Sequence, residues 1–521
     1  MSHGALASVA CVRRVALLFP RSSGLLLHPT SLPGRYGVGD LGDGARAFVD
    51  FLAAARQGLW QVLPLGPTGF GDSPYQSFSA FAGNPVLISL DQLREDGWLS
   101  AADLADPPAC PADQVDYGTV IPYKRDRLER AAQRFLAAGG GAQAADFDAF
   151  RAAHAAWLED FALFMGLKDA HDGAVWNTWE APLARREAAA LTRWRERLRG
   201  AADGHAVRQF FFFRQWLALK AYANQRGVRL VGDTPIFAAY DSADVWSHPE
   251  LFFLNARGNP TVVAGVPPDY FSATGQLWGN PLYRWDGMAA QRYGWWIDRL
   301  RLAFQLVDVL RIDHFIGFAR YWEIPARAKT AVKGRWVPGP GAALGLAARE
   351  ALGELPIIAE DLGAMTPEVD ALRDQLGLPG MRVLQFAFDT DASNRFLPHN
   401  HTPNSVVYTG THDNDTSVGW FAAAGPTERS NAQHYLARSG EDIAWDLIRA
   451  ALASVAHTAI IPVQDVLSLG SAARMNLPGR PHGNWSWRLL DGALGPALAE
   501  RLGSMTEWYG RTPAAAAGED V

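Results

Sequence analysis

Cysteine, long apolar runs and glycine-rich nucleotide signatures are all scarce in this chain, and each shortage removes a class of protein. Only two cysteines, Cys11 and Cys110, occur in 521 residues. They make neither a disulfide framework nor a CxxC metal knuckle, so a reducing cytoplasm is the expected setting. No run of ~18 apolar residues is present, which leaves no candidate membrane span. No GxGxxG follows a strand and no GxxxxGK[ST] occurs, so no organic cofactor is expected. An excess of positive charge is missing as well. The formal net charge is −6, which gives no attraction for nucleic acid or anionic lipid and favours neutral partners. In the opening stretch GALASVACVRRVALLF, Arg13 and Arg14 follow the apolar segment instead of preceding it, so residues 1–20 are expected to be a loose leader and not a secretory signal.

Apolar and aromatic residues are plentiful. At 48% hydrophobic, with 19 Trp and 26 Phe, the chain can fill a large core, and disorder is excluded. Eight short apolar runs end in polar residues: GLLLHPT (24–30), LWQVLPLGPT (59–68), VRLVGDTPIF (228–237), VDVLRIDH (307–314), LPIIAEDLG (355–363), MRVLQFAFD (381–389), SVVYTGTHDND (405–415) and TAIIPVQDVL (458–467). None shows the alternation of a half-exposed strand, as expected for a parallel sheet covered on both faces. Helices lie between them. In MTPEVDALRDQLGLPG, Thr366 is placed for an N-cap, Pro367 for the first turn, Val369, Leu372 and Leu376 for one apolar stripe, and Gly377 just past the end. HAVRQFFFFRQWLALKAYANQRG predicts another helix, stopped near Gly227.

This pattern predicts an α/β fold, a (β/α)8 TIM barrel spanning residues 21–510 as one catalytic unit. Two connections are too long for single helices. The first, 69–204 after the second strand, is expected to be largely helical; in it Phe147, Phe150, His154, Trp157, Phe161 and Phe164 keep helical spacing and read as core. The second, 238–290 after the third strand, reads as loops rich in aromatics, glycine and proline. Residues 511–521 are expected to be a frayed tail.

The carboxylates sit where the runs end. Asp233 closes the third, Asp313 the fourth, Glu360 the fifth and Asp413 the seventh. A barrel carries its active site at that end of its strands. Neighbouring strands lie ~4.8 Å apart, so carboxylates from the fourth and fifth can reach the ~5–5.5 Å spacing of a retaining glycosidase. One would attack the anomeric carbon. The other, kept protonated by burial and by its neighbour's charge, would first donate a proton and later remove one. Arg311, two residues before Asp313, falls on the same strand face, and His314 and His412 flank the acids.

Together these segments resemble the 4-α-glucanotransferases called amylomaltases or disproportionating enzymes, relatives of the α-amylase superfamily. The likeness runs from about 22 to about 508 through SGLLLHPTSLPGRYGVGDLG, GDSPYQSFSAFAGNP, FFFFRQW, GDTPIFAAYDSADVW, PPDYFSATGQLWGNPLY, RIDHFIGF, IIAEDLG, TGTHDND and NLPG. It implies Asp313 as nucleophile, Glu360 as acid/base and Asp413 as transition-state stabiliser, with Arg311, His314 and His412 against the reacting sugar. It also implies that no separate C-terminal β-domain follows the barrel.

The expected substrates are an α-1,4-glucan donor and a glucan or glucose acceptor, with no nucleic acid and no membrane. Neutral sugars need aromatic faces and hydrogen bonds. Tyr75, Tyr270, Trp278, Asn280 and Asp233 are the expected binding residues, with Trp278 on a shaped loop over the cleft. Transfer over hydrolysis follows from the resemblance and not from residue chemistry. Within glucan chemistry a hydrolytic α-amylase-like enzyme is the closest rival, and a catalytically dead glucan-binding protein is an alternative of a different class. A metal-dependent barrel hydrolase using Asp313, His314, His412 and Asp413 is the rival from another class. It lacks the usual HxH on the first strand, where His28 precedes Pro29, so no metal is expected.

Overall fold

The computed structural model describes residues 19–268, 272–363, 365–480 and 482–513. All eight expected runs become parallel strands of one closed barrel. They are β1 (Ser22–Leu26), β2 (Leu59–Gln61), β3 (Arg229–Pro235), β4 (Val309–Asp313), β5 (Ile357–Ala359), β6 (Gly380–Val383), β7 (Ser405–Tyr408) and β8 (Thr458–Pro462). Each pairs with its sequence neighbour and β8 returns to β1. Every residue of β1, β2, β5, β6, β7 and β8 is buried, which accounts for the unbroken apolar runs.

The crossover helix after β5 forms as its sequence spells it. It spans Pro367–Gln375 with Thr366 at the N-cap, although the Thr366 side chain caps no backbone N–H, and Val369 and Leu372 are buried. Gly377 turns the chain out at a φ of 70°.

The first excursion is helical, with Tyr117–Ala137, Ala144–Ala170, Ala188–Arg197 and the 27-residue helix Arg199–Gln225 that leads into β3. The last of these anchors the opening loop of this excursion. The Gln209 side chain exchanges two hydrogen bonds with the backbone of Gly83 (2.7 and 2.9 Å), and Gln215 does the same with Ser89 (2.7 and 3.1 Å). Gly83 has to be glycine, because a Cβ there would lie 1.9 Å from the Phe212 ring. That anchored loop carries Tyr75.

The second excursion departs from expectation. Residues 238–290 are not loops alone: they contribute strands Val262–Val266 and Gln276–Pro281 to a four-stranded antiparallel sheet. The other two strands, Arg320–Pro325 and Arg335–Pro338, come from a third excursion after β4 that the apolar pattern did not reveal. They are short, half-exposed and rich in Arg and Trp, so they lack the run of a barrel strand.

Arg511, expected in a frayed tail, is instead fully buried at the base of the barrel. Of the expected leader, residues 1–18 lie outside the described residues, and Phe19 is already buried in the core. Beyond β8 the described residues add helices and turns and no β-domain. Among the described residues no helix is long and apolar enough to cross a membrane.

Candidate active site

The strand register brings the charged residues together. Asp233 of β3 is paired with Arg311 of β4, and Pro235 with Asp313. Arg311 Nη1 donates to both oxygens of Asp233, at 2.8 and 2.6 Å, while its Nη2 donates to Asp313 Oδ1 at 2.9 Å. The Tyr75 hydroxyl adds a 2.7 Å bond to Asp233 Oδ2. Between β4 and β5 the pairing runs from Leu310 with Ile357 to Ile312 with Ala359. Glu360 therefore comes next, opposite Asp313, and its N–H donates to the Ile312 carbonyl at 3.1 Å.

Two backbone N–H groups hold the Glu360 carboxyl, His314 on Oε2 at 2.7 Å and Leu362 on Oε1 at 2.7 Å. His314 adopts a φ of 55°. For a residue with a side chain that conformation costs on the order of 1–3 kcal/mol, and such strain persists only where surrounding contacts impose it. Here the imposed turn delivers an N–H to Glu360.

Burial, and after it the negative charge of Asp313, raise the Glu360 carboxyl to about 7 against the two N–H bonds and Arg311. Burial lowers His314 to about 4, with Asp313 opposing, so its ring is neutral near pH 7. Burial also pushes Asp233 upward, while Arg311 on both of its oxygens pulls the other way. The guanidinium itself is held well above its ordinary value because Asp233 and Asp313 outweigh its burial. The Asp313 side chain is 28% exposed to the cleft and that of Arg311 only 4%. The largely buried guanidinium thus aims the carboxyl that is more open to the cleft. Asp413, past the end of β7, accepts a 2.6 Å bond from Asn476 Nδ2 on Oδ1, and His412 Nε2 stands 3.4 Å from the same oxygen. Arg311, Asp313, His314, Glu360, His412 and Asp413 line one cavity of ≈ 630 Å³, while Asp233, its side chain fully buried, stands behind Arg311.

A family model described as 4-alpha-glucanotransferase matches residues 27–492. The chain belongs to that family. It is 55% identical to the 4-alpha-glucanotransferase of Thermus thermophilus over 94% of this chain and 98% of that protein. To the 4-alpha-glucanotransferase of Synechocystis it is 52% identical, over 95% of this chain and 99% of that protein. Amylomaltase from Streptococcus agalactiae, solved in complex with acarbose, matches the fold at a TM-score of 0.91 and 41% identity, covering 94% of this chain and 100% of that one. The activity is 4-α-glucanotransfer, and the α-amylase-like, binding-only and metal-hydrolase readings fall with that membership. Among the described residues no group of three or more His, Cys, Asp or Glu is arranged to hold a metal.

In this glucanotransferase the aromatic expectations meet mixed outcomes. Tyr75 lines the cleft and stacks on His412 with ring centroids 5.1 Å apart. Trp278 also lines it, edge-on to His314 at 4.8 Å, but it belongs to the strand Gln276–Pro281 and not to a loop. Hydrogen bonds along that strand fix it more firmly than a loop would. Asn280, on the same strand, donates to the Ala238 carbonyl at 3.0 Å and accepts from Gln76 Nε2 at 3.3 Å. Tyr270 lies outside the described residues.

Asn476, Trp485 and Phe386 are among the cleft residues that escaped the sequence reading. Asn476 is the first residue of the NLPG segment, whose Pro478 and Gly479 also line the cavity, so the motif was visible and its polar residue was the signal. Trp485 has a φ of 63° and packs on Tyr75 and His412 at 5.8 and 5.9 Å. Phe386 pairs with Phe396 at 5.5 Å in the cleft wall. The two aromatics carried no local mark that set them apart from the many core aromatics.

Proposed function

We propose that Asp313 is the nucleophile of a retaining double displacement, Glu360 the acid/base and Asp413 the group that supports the oxocarbenium-like transition state. The observation that carries this is the placement, at the ends of adjacent strands, of Asp313 held by Arg311 and of Glu360, whose carboxyl burial raises to about 7. Asp313, fixed by Arg311, attacks the anomeric carbon of the donor α-1,4-glucan. Glu360, protonated below about pH 7, gives its proton to the departing 4-oxygen, so that the leaving glucan exits neutral. The same carboxylate then takes the proton of an acceptor's 4-hydroxyl as that oxygen displaces Asp313. Asp413, turned toward the sugar by Asn476, lies where positive charge develops.

Donor maltodextrin and glucose or glucan acceptors lie along Tyr75, Trp278 and Asn280, with His314 and His412 on the sugar at the reaction centre and Asp233 and Arg311 behind Asp313. The enzyme works without an organic cofactor. A cytoplasmic site suits a chain with only two cysteines.

Incubation with maltotriose tests the reading. Glucose together with a ladder of longer maltodextrins is the expected result. A monotonic fall to short products would mean that water, not a sugar hydroxyl, captures the intermediate. Full activity in Glu360→Gln would remove the acid/base assignment.

A further inference from the structure

The residue after Glu360 points away from the cleft. Side chains alternate along a strand, and while Glu360 faces the cavity, Asp361 is wholly buried behind it. Its Oδ1 accepts the Met381 N–H of β6 at 2.7 Å. Its Oδ2 accepts from Arg373 at 2.7 Å and from Arg395 at 3.0 Å, with Arg382 at 3.6 Å. Gly380 leaves room for this, since a Cβ there would lie 2.4 Å from Oδ2.

Three guanidinium groups on one carboxylate are more than neutralisation requires, and they come from different places. Arg373 sits on the helix Pro367–Gln375, Arg382 on β6, and Arg395 beside Phe396 in the cleft wall. Part of the excess charge is taken up elsewhere, because Arg373 also meets Asp370 and Asp374 at 2.8 Å each. The peptide immediately after Asp361 carries the Leu362 N–H, one of the two donors on the Glu360 carboxyl.

We propose that Asp361 is a positioning residue for glycosyl transfer: gripped by Met381 and the three arginines, it fixes the Asp361–Leu362 peptide and so the N–H that holds Glu360 beside Asp313. The role rests on Glu360 being the acid/base. The Leu362 N–H favours the charged form of Glu360, so loosening this peptide raises the pH at which Glu360 loses its proton. Arg395, with a side chain 31% exposed, is the member of the cluster whose removal least disturbs the core.

The pH profile of kcat/KM for maltotriose disproportionation decides the matter in Asp361→Asn and Arg395→Ala, with Arg395→Lys and Glu360→Gln alongside. Losing a hydrogen bond to a charged group moves a carboxyl by about one pH unit. Asp361→Asn should therefore carry the basic limb upward by about one unit. Arg395→Ala should move it less in the same direction, and Arg395→Lys should bring it back. If Asp361→Asn does not fold, the two Arg395 variants decide. A stationary limb in folded variants, with only the melting temperature lowered, overturns the positioning role. That result beside an inactive Glu360→Gln leaves the acid/base assignment standing, whereas an active Glu360→Gln removes the assignment first.

Discussion

Arg311 at the mouth of the barrel and Arg511 at its base are both buried guanidinium groups, and their partners differ in kind. Arg311 is met by the carboxylates Asp233 and Asp313. Among the described residues Arg511 donates only to carbonyls: Leu452 at 2.8 Å, Ser22 at 2.9 Å, His457 at 3.1 Å, and Ala451, Ser454 and Ala456 at 3.3, 3.1 and 2.9 Å. Several of these carbonyls end the helix Ile443–Ala453, where the helix dipole is negative and a cation is favoured. Burial and the neighbouring Arg21 lower Arg511 to about 9, which still leaves it charged at neutral pH. At the base every donor is spent on backbone, and the result is a clasp between the start of β1, the start of β8 and the C-terminal segment. At the mouth the carboxylates keep capacity for a substrate, and two residues there, His314 and Trp485, hold strained backbone. Charge is used for architecture at one end and kept reactive at the other.

If that division holds, variants at the mouth lose activity and keep stability, and variants at the base do the reverse. Asp313→Asn gives the largest effect, a fall in kcat of ~10⁴-fold or more, as expected when a nucleophile that acts in concert with a partner is removed. Its melting temperature should stay within a few degrees of wild type. A large loss of stability in this variant would break the comparison.

Arg511→Met tests the other end. It leaves several buried carbonyls without donors, each costing about 1–3 kcal/mol in full isolation. Relaxation and shared donation from Arg21, which reaches Ser454, Ala456 and Leu452 at 3.0–3.2 Å, should limit the total to ~3–4 kcal/mol. Chemical denaturation reads this, and kcat and KM for maltotriose should not move in the folded fraction.

Glu360→Gln sharpens the comparison, because it should cost activity and add stability. In the folded chain the Glu360 carboxyl is raised to about 7, above its ordinary value of 4.5. Between those values the native state holds a proton that the unfolded chain has lost, so the contribution of Glu360 to stability is complete below about pH 4.5 and falls away as pH rises through 7. Glutamine never charges. Its stability advantage over wild type should be absent at pH 4 and reach ~2–3 kcal/mol by pH 8, while kcat falls ~10²–10⁴-fold. Melting curves at the two pH values measure it, and an advantage independent of pH would sink the account.

The barrel and the carboxylates were legible because one physical cause marks both. A strand buried on two faces must be a continuous apolar run, and the residue that breaks the run is the one delivered to the mouth, as with Ile357 to Glu360 or Val309 to Asp313. The antiparallel sheet was not legible for the same reason inverted. Its strands alternate weakly, sit at the surface and are assembled from two separate excursions, so Trp278 looked like part of a glycine-flanked loop. Arg511 was misread because nothing in RTPAAAAGEDV signals a buried cation: its partners are backbone carbonyls, which leave no trace in the sequence. Asn476 and Trp485 were missed because they act across long sequence separations on residues whose own motifs drew attention.

The strand assignment of Trp278 leads to the smallest of these effects. Its indole Nε1 donates to Gln276 Oε1 on the same strand at 3.1 Å, and its ring meets the neutral His314 ring at an interplanar angle of 88°. An edge-to-face pair of this kind is worth about 0.5–1.5 kcal/mol, and the ring also offers a flat apolar face to a sugar. Trp278→Ala should raise KM by ~3–10-fold, the equivalent of that energy. Because His314 stays fixed by its backbone N–H on Glu360, kcat should fall by less than KM rises. Replacement by Phe should recover most of the loss, since the strand holds the new ring in the same place. A loop-borne tryptophan would behave differently: its removal would free the segment, and kcat and KM would deteriorate together. Steady-state kinetics with maltotriose therefore distinguishes a ring held by a sheet from a ring carried by a mobile lid, and the register of Gln276–Pro281 against Val262–Val266 favours the first.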